Sequence, residues 1–336
     1  MKIVLDAFGG DHAPLAVLQG VDLARKELND IEYILTGDEE IIKKVAAENK
    51  ISLDGVEIVH APKVMPVCAE PGAVRKEYKD SSLAVSLRLL AEGKADVCVG
   101  AGSTGALVFG ATFIVKRLKG IKRLALAPII PGEKGPFILL DSGANAECRP
   151  DMLVQFGVMG AAYMEKVVGI ENPRVGLVNI GEEESKGTPL YQETYQALKN
   201  SDLNFVGNIE ARYIMASKAD VIVADGFTGN VVLKLIEGVA KTFTKEMKTW
   251  FTGLSGKISG ALILNKVKGF KKRMDYKENG GAVLLGCAKP VIKAHGSSDA
   301  KAFKNAIRQA YTVTKHDVLG MIREGLEKMS ETQTEE

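Results

Sequence analysis

Short apolar runs alternate with longer stretches of helical spacing along this chain. Residues 2–7 read KIVLDA, and consecutive Ile3, Val4 and Leu5 have the pattern of a strand buried on both faces. The turn GGDHAP follows, Pro14 suits a first helical turn, and a helix is predicted to about residue 28. Strands over 31–36 and 56–60 flank a helix over 39–49, so the chain opens as βαβαβ, the start of a doubly wound sheet. Proline-rich 61–80 reads as a long ordered loop with a short helix, followed by a helix over 81–92 and a strand over 96–99. After a helix over 103–118, strands over 124–130 and 137–141 flank PGEKGP, a spacing that predicts a hairpin and a mixed sheet. A helix over 150–168, strand 174–180, helix 190–199, strand 204–206 and short helix 211–216 lead to strand 221–223. Helices over 229–251 and 254–267, strands over 283–285 and 291–294, and a last helix to about 328 complete the pattern. The expectation is one α/β domain over 1–330, with a mostly parallel, mixed, Rossmann-like sheet. A helical hairpin is inserted at about 238–273, and 331–336 form a frayed tail.

Composition narrows the class. The chain has 336 residues, 46% hydrophobic and 26% charged, with a net charge of +2, an ordinary globular balance that makes no case for nucleic acid. Cys68, Cys98, Cys148 and Cys287 form no C-x-x-C pair, so a reducing compartment is expected and neither a disulfide scaffold nor a metal site. Asp6 interrupts the first apolar run too early for a signal peptide, and no stretch approaches the roughly 18 apolar residues of a membrane span. A cytoplasmic protein is expected, at most attached to a membrane surface.

The chemistry gathers at strand ends. Open α/β sheets bind ligands at the carboxyl ends of their strands, and here those ends carry GGDHAP, AGSTGA, DSGAN, NIGEEESKG, DGFTGN and HGSSD. Two of these turns repeat one pattern: Gly102, Ser103, Thr104, Gly105 and Gly226, Phe227, Thr228, Gly229 each join an apolar strand to an apolar helix. Free backbone N–H groups at such a helix start suit a phosphate-sized anion, although glycine there also serves turn geometry alone. Gly100, Gly102 and Gly105 match G-x-G-x-x-G, but the ribose-binding acid about 20 residues on is missing, which ranks a dinucleotide below a phosphate ligand.

One local charge pattern stands apart. Residues 241–273 hold nine Lys or Arg against a single acid, Glu246. Trp250, Phe251, Leu254, Ile258 and Leu262 share one helical face within this stretch. The pattern reads either as an interfacial helix on an anionic membrane surface or as a stripe packed in a core or dimer interface, and the two can coexist.

DAFGGDHAP, AGSTGAL, LLDSGAN, GLVNIG, ADGFTGNVVLK and PVIKAHGSSD occur in family order over nearly the whole chain. Together they resemble the phosphate acyltransferases of bacterial phospholipid synthesis, the PlsX type. Phe8, Ser103 and Ser142 stand where Met, Asn and Val are usual, while the glycines and acids are retained. The resemblance implies transfer of a fatty acyl group from acyl carrier protein to inorganic phosphate, with no metal or organic cofactor. It also implies a homodimer and a fold similar to phosphotransacetylases and isopropylmalate-type dehydrogenases. The product would feed the membrane glycerol-3-phosphate acyltransferase. On this reading Gly102, Ser103, Thr104, Gly105, Gly226, Thr228 and Gly229 hold phosphate, and Ser297, Ser298, Asn230, Asn145 and Lys186 are donors toward the thioester carbonyl. His12 and His295 each read as a general acid for the departing thiolate or as a turn cap. Asp225 is the first choice among the acids Asp6, Asp141, Asp225 and Asp299, which either orient such groups or cap helices. Cys98 falls inside a strand and reads as core rather than nucleophile. A short-chain phosphotransacetylase using coenzyme A and a non-catalytic, membrane-docked organiser of lipid synthesis are the alternatives.

Overall fold

The computed structural model describes residues 1–251, 263, 266–267, 269–270 and 280–332. Its strands are β1 Lys2–Asp6, β2 Glu32–Gly37, β3 Val56–His60, β4 Val97–Gly100, β5 Ala125–Pro131, β6 Pro136–Leu140, β7 Val175–Asn179, β8 Phe205–Glu210, β9 Val221–Val223, β10 Ala282–Leu285 and β11 Val291–Lys293. Its helices are α1 Leu15–Arg25, α2 Glu39–Glu48, α3 Ser82–Ala91, α4 Thr104–Gly110, α5 Pro150–Tyr163, α6 Pro189–Lys199, α7 Gly226–Trp250, α8 Ala300–Lys315 and α9 Val318–Thr332. The strands form one mixed sheet in the order β3-β2-β1-β4-β11-β10-β5-β6-β9-β7-β8.

Side-chain parity explains why both faces of this sheet are covered. Ile3, Leu5, Val97 and Val99 point into one core, while Val4 and Cys98, between them in sequence, point into another. Ile138, Leu140, Val221 and Val223 extend the first core across the sheet, and Leu139 and Ile222 turn to a third. One face therefore carries a continuous core, and the opposite face two separate ones. Helix α1 packs on α8, where Gly20 makes room: a Cβ there would sit 2.4 Å from the Cβ of Phe303. Burying a side chain of that size contributes about 1.5–3 kcal/mol.

Strand direction divides the carboxyl ends. The strands from β3 to β11 run parallel. The joints β11–β10, β10–β5 and β5–β6 are antiparallel. From β6 to β8 the strands are parallel again. An odd number of reversals makes the two parallel blocks run in opposite senses. The turns after β1, β4 and β11 thus fall at one end of their block. Those after β6, β7 and β9 point the other way, so the polar turns at the strand ends form two clusters.

Several boundaries move for local reasons. Helix α7 begins at Gly226 rather than 229 because the Asp225 side chain caps it. The expected helix over 103–118 is α4 followed without a break by a π-helical turn, Ala111–Val115, ending where Lys116 adopts a φ of 75°. The single last helix is two. Asp317, at a φ of 45°, interrupts it and accepts the Gly320 N–H at 3.1 Å, capping α9. Strand β8 runs to Glu210, beyond the expected 206.

The expected hairpin is described only in part. Phe227, Val231, Leu235, Val239 and Phe243 form an exposed apolar line at four-residue spacing on α7, and Trp250 is 56% exposed. Phe243 meets Trp250 and Phe270 edge-on, each at 6.0 Å between ring centroids. Phe251 is half-buried just beyond the end of α7, and Leu254, Ile258 and Leu262 lie outside the described residues. Among the described residues no helix is long and apolar enough to cross a membrane.

Candidate functional site

The first cluster is built on β1, β4 and β11. The GGDHAP turn is pressed against AGSTGA: a Cβ on Gly9 would lie 2.8 Å from Asp6 Oδ2 and 2.9 Å from the Gly102 nitrogen. The same turn is tied to HGSSD by the Asp11 N–H, which donates to the Gly296 carbonyl at 2.8 Å. Asp6 is buried and accepts the Phe8 N–H at 3.2 Å; burial pushes its carboxyl up. At the start of α4 the Ser103 hydroxyl accepts the Ala106 N–H at 3.4 Å. The N–H groups of Gly102, Ser103, Thr104 and Gly105 find no acceptor among the described residues. Backbone donors left open at a helix start attract negative charge.

Lys293, at the end of β11, is a residue the sequence reading passed over. It is 8% exposed, and its ammonium donates to the carbonyls of Ala294 at 2.5 Å and Ala101 at 3.4 Å. Burial, then repulsion by Lys234 of α7, lowers it to about 8, against the pull of Asp11 and Asp6. His295, two residues on, accepts the Ser297 N–H on Nδ1 at 3.2 Å, with the Ser297 hydroxyl 2.9 Å from the same nitrogen. That pattern assigns the hydrogen of the neutral ring to Nε2. Burial, then Lys234, lowers its pKa, with Glu237 opposing, so the ring is neutral at pH 7. It is a hydrogen-bond donor at Nε2 rather than a cationic acid. Ser298 is buried and donates its N–H to the His295 carbonyl at 3.0 Å. His12 is exposed in the GGDHAP turn, where its carbonyl accepts the Ala16 N–H at 3.0 Å.

The second cluster is already satisfied by its own residues. Asp141 is fully buried and accepts the N–H groups of Leu126, Gly143, Ala144 and Asn145, at 2.7–3.2 Å, and the Asn145 side-chain amide at 2.9 Å. Burial pushes this carboxyl up while those donors pull it down. Asn145 gives its remaining amide hydrogen to the Leu124 carbonyl at 2.6 Å and accepts the Gly226 N–H on its own carbonyl at 2.8 Å. Asp225 accepts the Thr228 N–H at 2.8 Å, the Thr228 hydroxyl at 3.0 Å and the Tyr191 hydroxyl at 2.5 Å. Burial, then the Asp225 hydrogen bond, pushes the Tyr191 hydroxyl up. The Gly229 N–H goes to the Asp225 carbonyl at 2.9 Å.

The two Thr-Gly turns are therefore not equivalent. At α7 the Asn145 backbone carbonyl takes the Gly226 N–H, the Asp225 carboxylate the Thr228 N–H and the Asp225 backbone carbonyl the Gly229 N–H, so the three donors expected to hold phosphate are bonded within the chain. At α4 a serine cap takes one later N–H and leaves four without an acceptor among the described residues. Asn145 likewise has no amide hydrogen to spare for a substrate carbonyl, and Asp225 is a helix cap. Lys186 is exposed in the loop after β7, 3.9 Å from Glu183 Oε2, and Asn230 is exposed beside Gly143. His12, His295, Ser297, Ser298 and Gly102 to Gly105 come together in the first cluster. Asp225, Asn230, Asn145 and Lys186 belong to the second. Helix α7 links them, starting at Asp225 and bringing Lys234 and Glu237 within electrostatic reach of His295.

Burial pushes the thiols of Cys98 and Cys287 up, and that of Cys148 up to about 12, so none of these three is an activated nucleophile. Among the described residues no three of His, Cys, Asp and Glu converge as a metal site requires.

The family described as "Fatty acid synthesis protein" matches residues 1–321. The phosphate acyltransferase of Clostridium tetani is 46% identical over 97% of this chain and 98% of that protein. That of Clostridium botulinum is 48% identical over 92% of this chain and 93% of that protein. Among solved structures, a phosphotransacetylase from Streptococcus pyogenes superposes with a TM-score of 0.64 at 19% identity, covering 94% of each chain, a likeness of fold alone.

Proposed function

The chain belongs to the phosphate acyltransferase family, and from that premise we propose that it moves a long-chain acyl group from acyl carrier protein to inorganic phosphate. The observation that carries the reading is the open α4 turn, four backbone donors at Gly102 to Gly105 without an acceptor among the described residues, beside the buried ammonium of Lys293. Phosphate held there is the nucleophile. Its oxygen attacks the thioester carbonyl, the C–O bond forms, and the C–S bond breaks. Monohydrogen phosphate brings the proton that the departing thiolate needs, so the products are acyl phosphate and free thiol with no other reactant. His295 donates from Nε2 to the carbonyl oxygen as it gains charge. Holding both reactants supplies much of the rate, because a thioester is already activated.

The same proposal makes the chain a homodimer attached peripherally to the inner face of the cell membrane. It would hand its product to a glycerol-3-phosphate acyltransferase for phosphatidic acid synthesis. The exposed apolar line on α7 supports an attached face of this kind. Residues 1–330 then act as one catalytic unit with 238–273 as its attachment.

The test is release of carrier thiol from palmitoyl-acyl carrier protein, with palmitoyl-coenzyme A in parallel. Phosphate-dependent release from the carrier substrate is expected. Preference for the coenzyme A thioester would refute the carrier assignment.

A further inference from the structure

Basic groups converge on the open α4 turn from separate parts of the fold. Lys293 comes from the end of β11, His295 from the turn behind it, and Lys234 from the third turn of α7. Lys234 is close enough to depress both Lys293 and His295. Two of the three ammonium hydrogens of Lys293 are taken by the Ala101 and Ala294 carbonyls, and the third has no acceptor among the described residues. Bringing like charges together and burying one of them costs free energy unless an anion completes the site.

We propose that Lys293 is the buried cation that holds the phosphate nucleophile, with Lys234 facing it across the site. The proposal rests on the reaction assigned above and adds a residue for its phosphate. Asp6 and Asp11 of the first strand and its turn, Lys234 and Glu237 of α7, and His295 are the titratable groups that face this site. In the empty site Asp11 and Asp6 pull Lys293 toward its charged form without outweighing burial and Lys234, and a bound anion adds to that pull. With an ordinary value near 10.5 displaced to about 8, the ammonium loses its proton within an accessible range. Phosphate affinity then falls as pH rises through that value, because the free protein loses the charge that the anion needs.

The test is equilibrium dialysis of radiolabelled inorganic phosphate against the full chain from about pH 7.5 to 9.5, a range that spans the displaced lysine value. Lys293→Met is expected to weaken binding roughly ten- to a hundredfold, the range for a lost charge-assisted hydrogen bond. Wild-type affinity is expected to fall up to about tenfold per pH unit above 8, and that of Lys293→Arg to stay nearly level, since arginine keeps its charge. Unchanged binding by Lys293→Met, or the same fall with pH in Lys293→Arg, overturns the proposal. If Lys293→Met does not fold, the wild-type and arginine profiles decide alone. Acyl phosphate formation by the wild type is followed in parallel. Turnover with phosphate binding indifferent to Lys293 overturns only this assignment. Lys293-dependent binding without acyl phosphate upholds it and overturns the reaction instead.

Discussion

Replacing Asp225 by Ala separates a helix cap from a catalytic carboxylate. In the structure this side chain takes the Thr228 N–H at 2.8 Å, the Thr228 hydroxyl at 3.0 Å and the Tyr191 hydroxyl at 2.5 Å. Loss of an N-cap costs about 0.5–2 kcal/mol. A partly buried hydroxyl deprived of its main acceptor adds about 1–3 kcal/mol, toward the lower end here because Thr228 Oγ1 remains 3.2 Å from Tyr191. Asp225→Ala should therefore destabilise the fold by about 2–4 kcal/mol in urea unfolding. Asp225→Asn keeps an oxygen for the Thr228 N–H and presents an amide to two hydroxyls that can accept, so its cost should stay near 1 kcal/mol. A double-mutant cycle of Asp225→Ala with Tyr191→Phe should show coupling of about 1 kcal/mol. Initial rates at saturating phosphate should fall no more than about tenfold in the folded Asn variant, an effect of roughly 1.4 kcal/mol. An unchanged unfolding midpoint with a thousandfold loss of turnover would refute the reasoning and return Asp225 to the chemistry.

Gly229→Ala would place a Cβ 1.9 Å from the Asp141 carbonyl oxygen, and a loss of more than about 3 kcal/mol is expected in thermal denaturation. Burial raises the Asp220 carboxyl but Arg174, bonded to it at 2.9 and 3.0 Å, prevails and holds it below its ordinary value. Its contribution to stability is therefore present above the unfolded pKa and lost as pH falls through the folded one, so the stability gap between wild type and Asp220→Asn should close below about pH 4. His295 should titrate by NMR below the ordinary histidine value of 6.5 and shift upward in Lys234→Met, which removes the facing positive charge. No upward shift would place Lys234 away from the ring.

Much of the architecture was legible because consecutive apolar residues mark buried strands whatever their direction. The βαβαβ opening, the β5–β6 hairpin and the two final strands follow from Ile3-Val4-Leu5 and its counterparts. Direction across the whole sheet was harder, since it depends on how β10 and β11 insert between β4 and β5, a long-range pairing that no local pattern encodes. The glycine-rich turns were recognised, but their shared Thr-Gly wording hid a difference in capping. Asp225 caps one helix and Ser103 the other, and a carboxylate at the cap repels an anion that a neutral serine hydroxyl admits. Lys293 carried a signal of its own, a charge closing the apolar run Val291-Ile292, and the neighbouring His295 drew attention from it.

Acyl phosphate formation tests the central claim most directly. Purified chain, palmitoyl-acyl carrier protein and inorganic phosphate are combined, and thiol release is measured alongside acyl phosphate trapped with hydroxylamine. One acyl phosphate per thiol released, with no release when phosphate is omitted, is the predicted result. Thiol release without phosphate, yielding free fatty acid, would contradict it.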